Sequence, residues 1–243
     1  MAWVGIFGIS ACSAQVADEA SPAEPLGKVQ QATVWTTVCS GVARKDVTAF
    51  GAVPTPYGTQ PPGADWSSLD DTHAIQDAIE QARLSVPSTG TCSVEVYFPP
   101  GDYFIEDTLW VPSRVNLRGY ARANTRIIKA TDADVVNEKH LIELSNYHKA
   151  HSDTLCQGEQ YIKISSLQLE MRQGVFNTSK PIGDNGHCIR TPAGVRYVEL
   201  RDLQLRSCTG YGIGFQLNTE APDCRTSSPA YRDITIKGVE IVR

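Results

Sequence analysis

Ile162-Lys-Ile-Ser-Ser-Leu-Gln-Leu169, Val198-Glu-Leu-Arg-Asp-Leu-Gln-Leu205 and Ile234-Thr-Ile-Lys-Gly-Val-Glu-Ile241 superpose without a gap, each 36 residues after the last. In every copy two short alternating runs flank a two-residue corner: Ser165-Ser166, Arg201-Asp202 and Lys237-Gly238. Alternation at period two marks a strand with one buried face. A unit this short has nothing of its own to bury that face against, so successive copies must stack along an axis. The spacing predicts a parallel β-solenoid with inward stacks Ile162/Val198/Ile234, Ile164/Leu200/Ile236, Leu167/Leu203/Val239 and Leu169/Leu205/Ile241. A globin-like or Rossmann chain would need amphipathic helices between the strands, whereas stretches such as 174–185 are full of Gly, Pro, Asn and Ser.

The same ruler brings outward positions to about one strand spacing, roughly 4.8 Å. Lys163 then lies beside Glu199 and Glu170 beside Arg206, which reads as two surface charge ladders. It also bears on the cysteines, of which there are seven. With Cys12 set aside, six remain, none in a C-x-x-C pair, and six cysteines allow 15 connectivities. Cys188 and Cys224 are 36 apart and are expected to pair across adjacent turns. Cys39 and Cys92 flank the one clear helix and are expected to pair as well, leaving Cys156 and Cys208.

That helix is predicted from about Asp71 to Leu84, with Asp70 or Asp71 as N-cap and Ala74, Ile75, Ala78, Ile79 and Ala82 on one face. Solenoid ends expose unpaired backbone, so a helix ahead of the first strands is the expected amino-terminal cap.

Across the 243 residues, 41% are hydrophobic and 20% charged, which suffices for a sizeable core and excludes disorder. The net charge of −5 argues against a nucleic-acid partner. It is unevenly spread: residues 1–160 carry −8 and residues 161–243 carry +3, so the later part can hold an anionic ligand. Met1–Ala11 is uncharged and apolar and reads as an export segment. After it no apolar run reaches the ~20 residues of a membrane span. Ile9-Ser-Ala-Cys12 resembles a bacterial lipoprotein cleavage box, although no Lys or Arg precedes the apolar stretch. Either the start is clipped and Cys12 carries a lipid anchor, or an ordinary signal peptide is cut a few residues later. Localisation is accordingly expected to be exported: outer membrane or periplasm if lipidated, otherwise secreted. Residues 13–43 form the tether and lead-in.

The front of the solenoid carries a second signature. Asp46-Val-Thr-Ala-Phe-Gly-Ala52, Asp70-Asp-Thr-x-Ala-Ile-Gln-x-Ala-Ile79, Val96-Tyr-Phe-Pro-Pro-Gly-x-Tyr103 and Val115-x-Leu-Arg-Gly119 resemble the amino-terminal motifs of the pectate-lyase-like superfamily, of rhamnogalacturonase/epimerase type. The resemblance covers about residues 44–243. It implies an all-β fold, a right-handed parallel β-helix with an amino-terminal capping α-helix; because the inward Ile241 is followed by no cap for its turn, the solenoid is expected to continue beyond Arg243. Val53–Leu69 departs from the family as a longer Pro/Gly-rich insertion. A fainter likeness to mannuronan epimerases rests on Thr178-Ser-Lys180 and Gly210-Tyr-Gly-Ile213. There the tyrosine precedes a catalytic aspartate by three residues and a histidine by five; the matching positions here are Gly214 and Gln216.

An exported β-helix of this resemblance is expected to act on an acidic, uronate-containing polysaccharide. β-Elimination needs a cation at the carboxylate, a base for the C-5 proton and an acid for the leaving oxygen. Lys180, Asp184, His187, Arg190 and Tyr211 offer these groups: Lys180 or Arg190 for the carboxylate, Tyr211 or His187 for proton transfer. They would line a groove beside the loops of the second and third repeats. Inverting hydrolysis would need two carboxylates about 6.5–9.5 Å apart, for which only Asp184 and Asp223 come near. A lyase is therefore expected ahead of a glycoside hydrolase or an epimerase, with a non-catalytic glycan-binding scaffold as the remaining class. No cofactor is evident. Calcium would need clustered oxygens, and Asp65, Asp70 and Asp71 are better used at the helix start.

Overall fold

The structure, a computed structural model, describes residues 37–59, 69–131, 140–145, 159–173, 186–192, 194–208, 210–215 and 232–242. Strand β1 (Lys45–Asp46) runs into a 3-10 turn, Val47–Phe50, and then helix α1 (Thr72–Ser85) precedes all the remaining strands. These are β2 (Val94–Phe98), β3 (Gly101–Ile105), β4 (Leu109–Trp110), β5 (Val115–Gly119), β6 (Thr125–Thr131), β7 (Ile142–Glu143), β8 (Gln160–Gln173), β9 (Ile189–Thr191), β10 (Arg196–Arg206), β11 (Ile213–Phe215) and β12 (Arg232–Val242). Every pairing between them is parallel.

The strands fall on three faces. The first holds β1, β2, β5 and the leading halves of β8, β10 and β12. The second holds β3, β6 and the trailing halves of the same three strands. The third is the separate sheet β4-β7-β9-β11. One turn of chain visits the three faces in order, so the fold is an all-β parallel β-helix. Val198 pairs with Ile162 on one side and Ile234 on the other, and the remaining three expected stacks hold the same register. Their members in β8 and β10 are at most 1% exposed, whereas Ile236 and Ile241 are 47% and 59% exposed on β12, the last described strand.

The corner between the first two faces has a simple cause. Ser166, Asp202 and Gly238 are left-handed, at φ 56°, 51° and 64°, which turns the chain without breaking the ladder. A second left-handed position opens the first-face segments from β5 onward, at Arg114, Tyr161, Tyr197 and Asp233, and Tyr161 stacks on Tyr197 with ring centroids 4.8 Å apart. At the corner of the second turn stands Gly119, where a Cβ would collide with the Ser166 carbonyl of the next turn.

Helix α1 buries Ile75, Ala78, Ile79 and Ala82 in the core. Its start is held by Asp70, whose Oδ1 accepts from the Thr72 amide at 2.9 Å and from the Thr72 hydroxyl. Asp71 instead accepts from the Val53 amide at 2.8 Å. The lead-in also partners the first strand of each face: β1 on β2, the Asp71 amide on the Phe104 carbonyl, and the Gln76 side chain on both backbone groups of Trp110.

Two expectations are corrected. Cys39–Cys92 forms, but Cys188 pairs with Cys208, not with Cys224. Their Cα atoms are 5.4 Å apart because the chain returning from β10 to β11 passes directly beside the start of β9. Cys156 and Cys224 lie outside the described residues. Lys163 does reach Glu199, at 3.2 Å, and Glu170 is in register with Arg206. Glu170 is nevertheless buried, paired at 2.8 Å with Arg126, which also grips Asp102 through two bonds of 3.0 and 2.5 Å. Tyr57 covers this ionic group, with the Arg126 guanidinium 5.2 Å from its ring.

Candidate functional site on the third face

Short strands on the third face set the site. Register places Ile142, Ile189 and Ile213 side by side, and Ile142 and Ile189 are fully buried. Two residues earlier in each strand the same register stacks His140, His187 and Tyr211. One residue later it aligns Glu143, Arg190 and Gly214.

The first row is an aromatic ladder. His140 and His187 are stacked with centroids 4.9 Å apart, and His187 and Tyr211 are 5.4 Å apart. Backbone amides tie each ring to the following turn: the His187 amide donates to His140 Nδ1 at 3.2 Å, and the Tyr211 amide donates to His187 Nδ1 at 3.0 Å. The ladder runs outward from the buried His140 to Tyr211, which is 71% exposed.

In the second row Arg190 Nη1 is 3.4 Å from Glu143 Oε2 and 3.1 Å from His140 Nε2. A neutral imidazole accepts at one nitrogen only, so His140 takes its hydrogen bond either from the His187 amide or from Arg190. Burial, then the charge of Arg190, then His187 and Lys129 push the His140 pKa down to about 3, so the ring stays neutral. Burial raises the Glu143 pKa while Arg190 opposes the shift. Gly214 completes the row with no side chain, and the space above its Cα holds the His187 ring.

Three of the five site residues expected from sequence therefore lie on one face: His187 and Tyr211 are in ring contact, and Arg190 reaches the same ladder at His140. Lys180 and Asp184 lie outside the described residues, as does Asp223. Two members were missed, His140 and Glu143. A signal existed in the sequence: His140-Leu-Ile-Glu143 and His187-Cys-Ile-Arg190 match as His-x-Ile followed by a charge, at an offset of 47 rather than 36. Among the described residues no group of three or more His, Cys, Asp or Glu is placed to hold a metal ion.

Among solved structures, the chain is similar to ORF18 of Geobacillus virus E2 (20% identity, TM-score 0.47, covering 70% of this chain and 27% of that one). It is likewise similar to the A-module of the Azotobacter vinelandii mannuronan C-5 epimerase AlgE6 (18%, 0.47, 71% and 40%). A third similar structure is the pre-mature bacteriophage phi29 gene product 12 (20%, 0.49, 78% and 21%). The chain thus spans between about a fifth and two fifths of the length of these structures. No curated protein matches it by sequence. The model of the rhamnogalacturonase A/epimerase, pectate lyase-like family matches residues 50–241, and with that parallel β-helix beneath it the chain belongs to this family.

Proposed function

We propose that the protein binds an acidic, uronate-containing polysaccharide on its third face and cleaves it by β-elimination. The supporting observation is the third-face cluster, in which His187 and Tyr211 from adjacent turns are in ring contact and Arg190 reaches the same aromatic ladder at His140. In the reaction the C-5 proton leaves to a base and its electron pair becomes the C-4–C-5 double bond. The C-4–oxygen bond then breaks and the departing oxygen takes up a proton. Arg190, with Lys180, neutralises the carboxylate and so acidifies C-5; Tyr211 stands at the exposed end of the ladder for proton transfer. Asp184 is a further loop candidate.

We also propose an exported protein, with Met1–Ala11 as the export segment and Cys12 as the anchor where lipidation occurs. The disulfides Cys39–Cys92 and Cys188–Cys208 support an oxidising compartment.

Incubation with a panel of acidic and neutral polysaccharides tests the function. Absorbance from unsaturated uronate is expected with an acidic polymer. Binding should weaken with added salt and with Lys180→Ala combined with Arg190→Ala, but not with Lys163→Ala in its surface ladder. New reducing ends without unsaturation would make it a hydrolase, and retention without turnover a binding scaffold. Equal binding of neutral and acidic glycans would overturn the reading.

A further inference from the structure

The described part of the Pro/Gly-rich insertion, residues 53–59, lies against the second face of the solenoid. Thr55 pairs antiparallel with Asp102 at the edge of that face, and the Gly58 amide donates to Asp102 Oδ2 at 2.9 Å. This carries Tyr57 onto its outer side. There the register lines up Asp102, Arg126, Gln168, Gln204 and Glu240 as one row along the axis. The first two are closed off as a buried ion pair beneath Tyr57. Beyond them the hydrogen bonds all run one way. Tyr57 Oη donates to Gln168 Oε1 at 3.0 Å, Gln168 Nε2 donates to Gln204 Oε1, and Gln204 Nε2 donates to Glu240 Oε2 at 3.0 Å. A carboxamide has two N–H donors and two acceptor lone pairs, so the half-buried Gln204 keeps one of each among the described residues. Glu240 is exposed, with Arg122 Nη1 at 3.7 Å, and Arg122 Nε is 3.5 Å from Asp202.

We propose that this row binds a neutral, hydroxyl-rich glycan laid along the second face, at a site separate from the third face and independent of the uronate reading. Tyr57 shows the chemistry the row accepts, since its phenol already places a hydroxyl on Gln168. A sugar hydroxyl both donates and accepts, which matches the donor and acceptor left on Gln204 and the acceptor oxygens of Glu240. Successive stations stand about one strand spacing, roughly 4.8 Å, apart. Residues of an extended glycan advance by a similar step, so neighbouring sugars can use neighbouring stations. At the closed end, the Arg126 guanidinium lies 5.2 Å from the Tyr57 ring, and Tyr57 is 39% exposed, which offers an apolar surface to the C–H face of a pyranose. The exposed end sets Glu240 and Asp202 against Arg122, and Arg206 in the adjoining row is in register with the Glu170 carboxylate. There is no cationic excess to draw a polyanion.

Calorimetric titration of the whole chain with neutral hexasaccharides of glucan, mannan, xylan and galactan type tests it, with a uronate hexasaccharide as the charged control and NMR of the Gln204 side-chain amide as the local probe. At least one neutral hexasaccharide is expected to bind and to shift that amide. Gln204→Ala should weaken the binding about tenfold, as the loss of hydrogen bonds at one station. Tyr57→Ala should do the same, whereas Tyr57→Phe, which keeps the ring, should stay within about threefold of the parent. Lys163→Ala, on the first face, should leave it unchanged. Melting temperatures check that each variant is folded. The proposal is overturned if no neutral hexasaccharide shifts the Gln204 amide, or if a folded Gln204→Ala chain binds as the parent does. A uronate hexasaccharide that shifts the Gln204 amide as strongly as the neutral ones would overturn it too.

Discussion

The imidazole of His187 stands over the Cα of Gly214 on the neighbouring strand: a Cβ added there would lie 2.8 Å from both Cγ and Nε2, and closer still to Cδ2. Gly214→Ala must therefore turn the ring away from the Tyr211 amide. Binding of a uronate tetrasaccharide is expected to fall about tenfold. Added to His187→Ala the same change should cost almost nothing more, because the two residues act through one contact. Titration calorimetry on the four-member cycle measures this.

Arg126 lies between Asp102 and Glu170 with all three side chains nearly closed to solvent. Arg126→Met strands two carboxylates without a cation and should cost about 3–5 kcal/mol. Glu170→Gln leaves the two-bond Asp102 pair intact and should cost far less. Urea denaturation of both variants gives the comparison.

Two buried groups give opposite acid responses. His140 binds its proton only near pH 3 when folded, against an ordinary value of 6.5, so its stabilising contribution is complete above pH 6.5 and is lost as pH falls toward 3. Asp71 titrates near 6 instead of 3.8, mainly because it is buried, and one of its oxygens has no hydrogen-bond partner among the described residues. Its folded form holds a proton that the unfolded chain has released, so stability from this group falls as pH rises from about 4 to 6. Relative to the parent, melting temperatures from pH 4 to 7 should slope more steeply upward with pH in Asp71→Asn and tilt downward in His140→Asn.

The Cys188–Cys208 link closes a loop of 20 residues. Replacing both cysteines by serine should lower stability by about 3 kcal/mol on the chain-entropy account, and peptide mapping without reductant should recover the 188–208 pair.

The solenoid was legible because its last three long strands recur at two equal spacings of 36 residues and alternate cleanly. The preceding spacings are not equal: Val96 and Leu117 stack 21 residues apart, and Leu117 and Ile164 stack 47 apart. That unevenness hid His140 and Glu143, which belong to the 47-residue turn, from a ruler of 36. It also misassigned Cys188, because disulfide partners answer to local chain return and not to strand register. Glu170 was misplaced for a different reason: an outward strand position is exposed only where nothing covers the face, and here Tyr57 does. The left-handed corners were readable as corners from their residue types, yet the second set, at Tyr161 and Tyr197, carries bulky residues that give no such sign.

The two disulfides also bear on how the molecule answers force. In a stack of parallel turns, tension along the axis opens one inter-turn ladder at a time and releases each turn as free chain. Cys188–Cys208 crosses between successive turns, and Cys39–Cys92 ties the lead-in to the first. At roughly 3.5 Å per extended residue, the sequence separations of 20 for the former and 53 for the latter withhold about 70 and 185 Å of contour length from any pull. A chain drawn out by its ends should thus lengthen in steps that jump on adding a reductant, and the segment bearing Arg190 and β10 is among the lengths that oxidation keeps from unspooling.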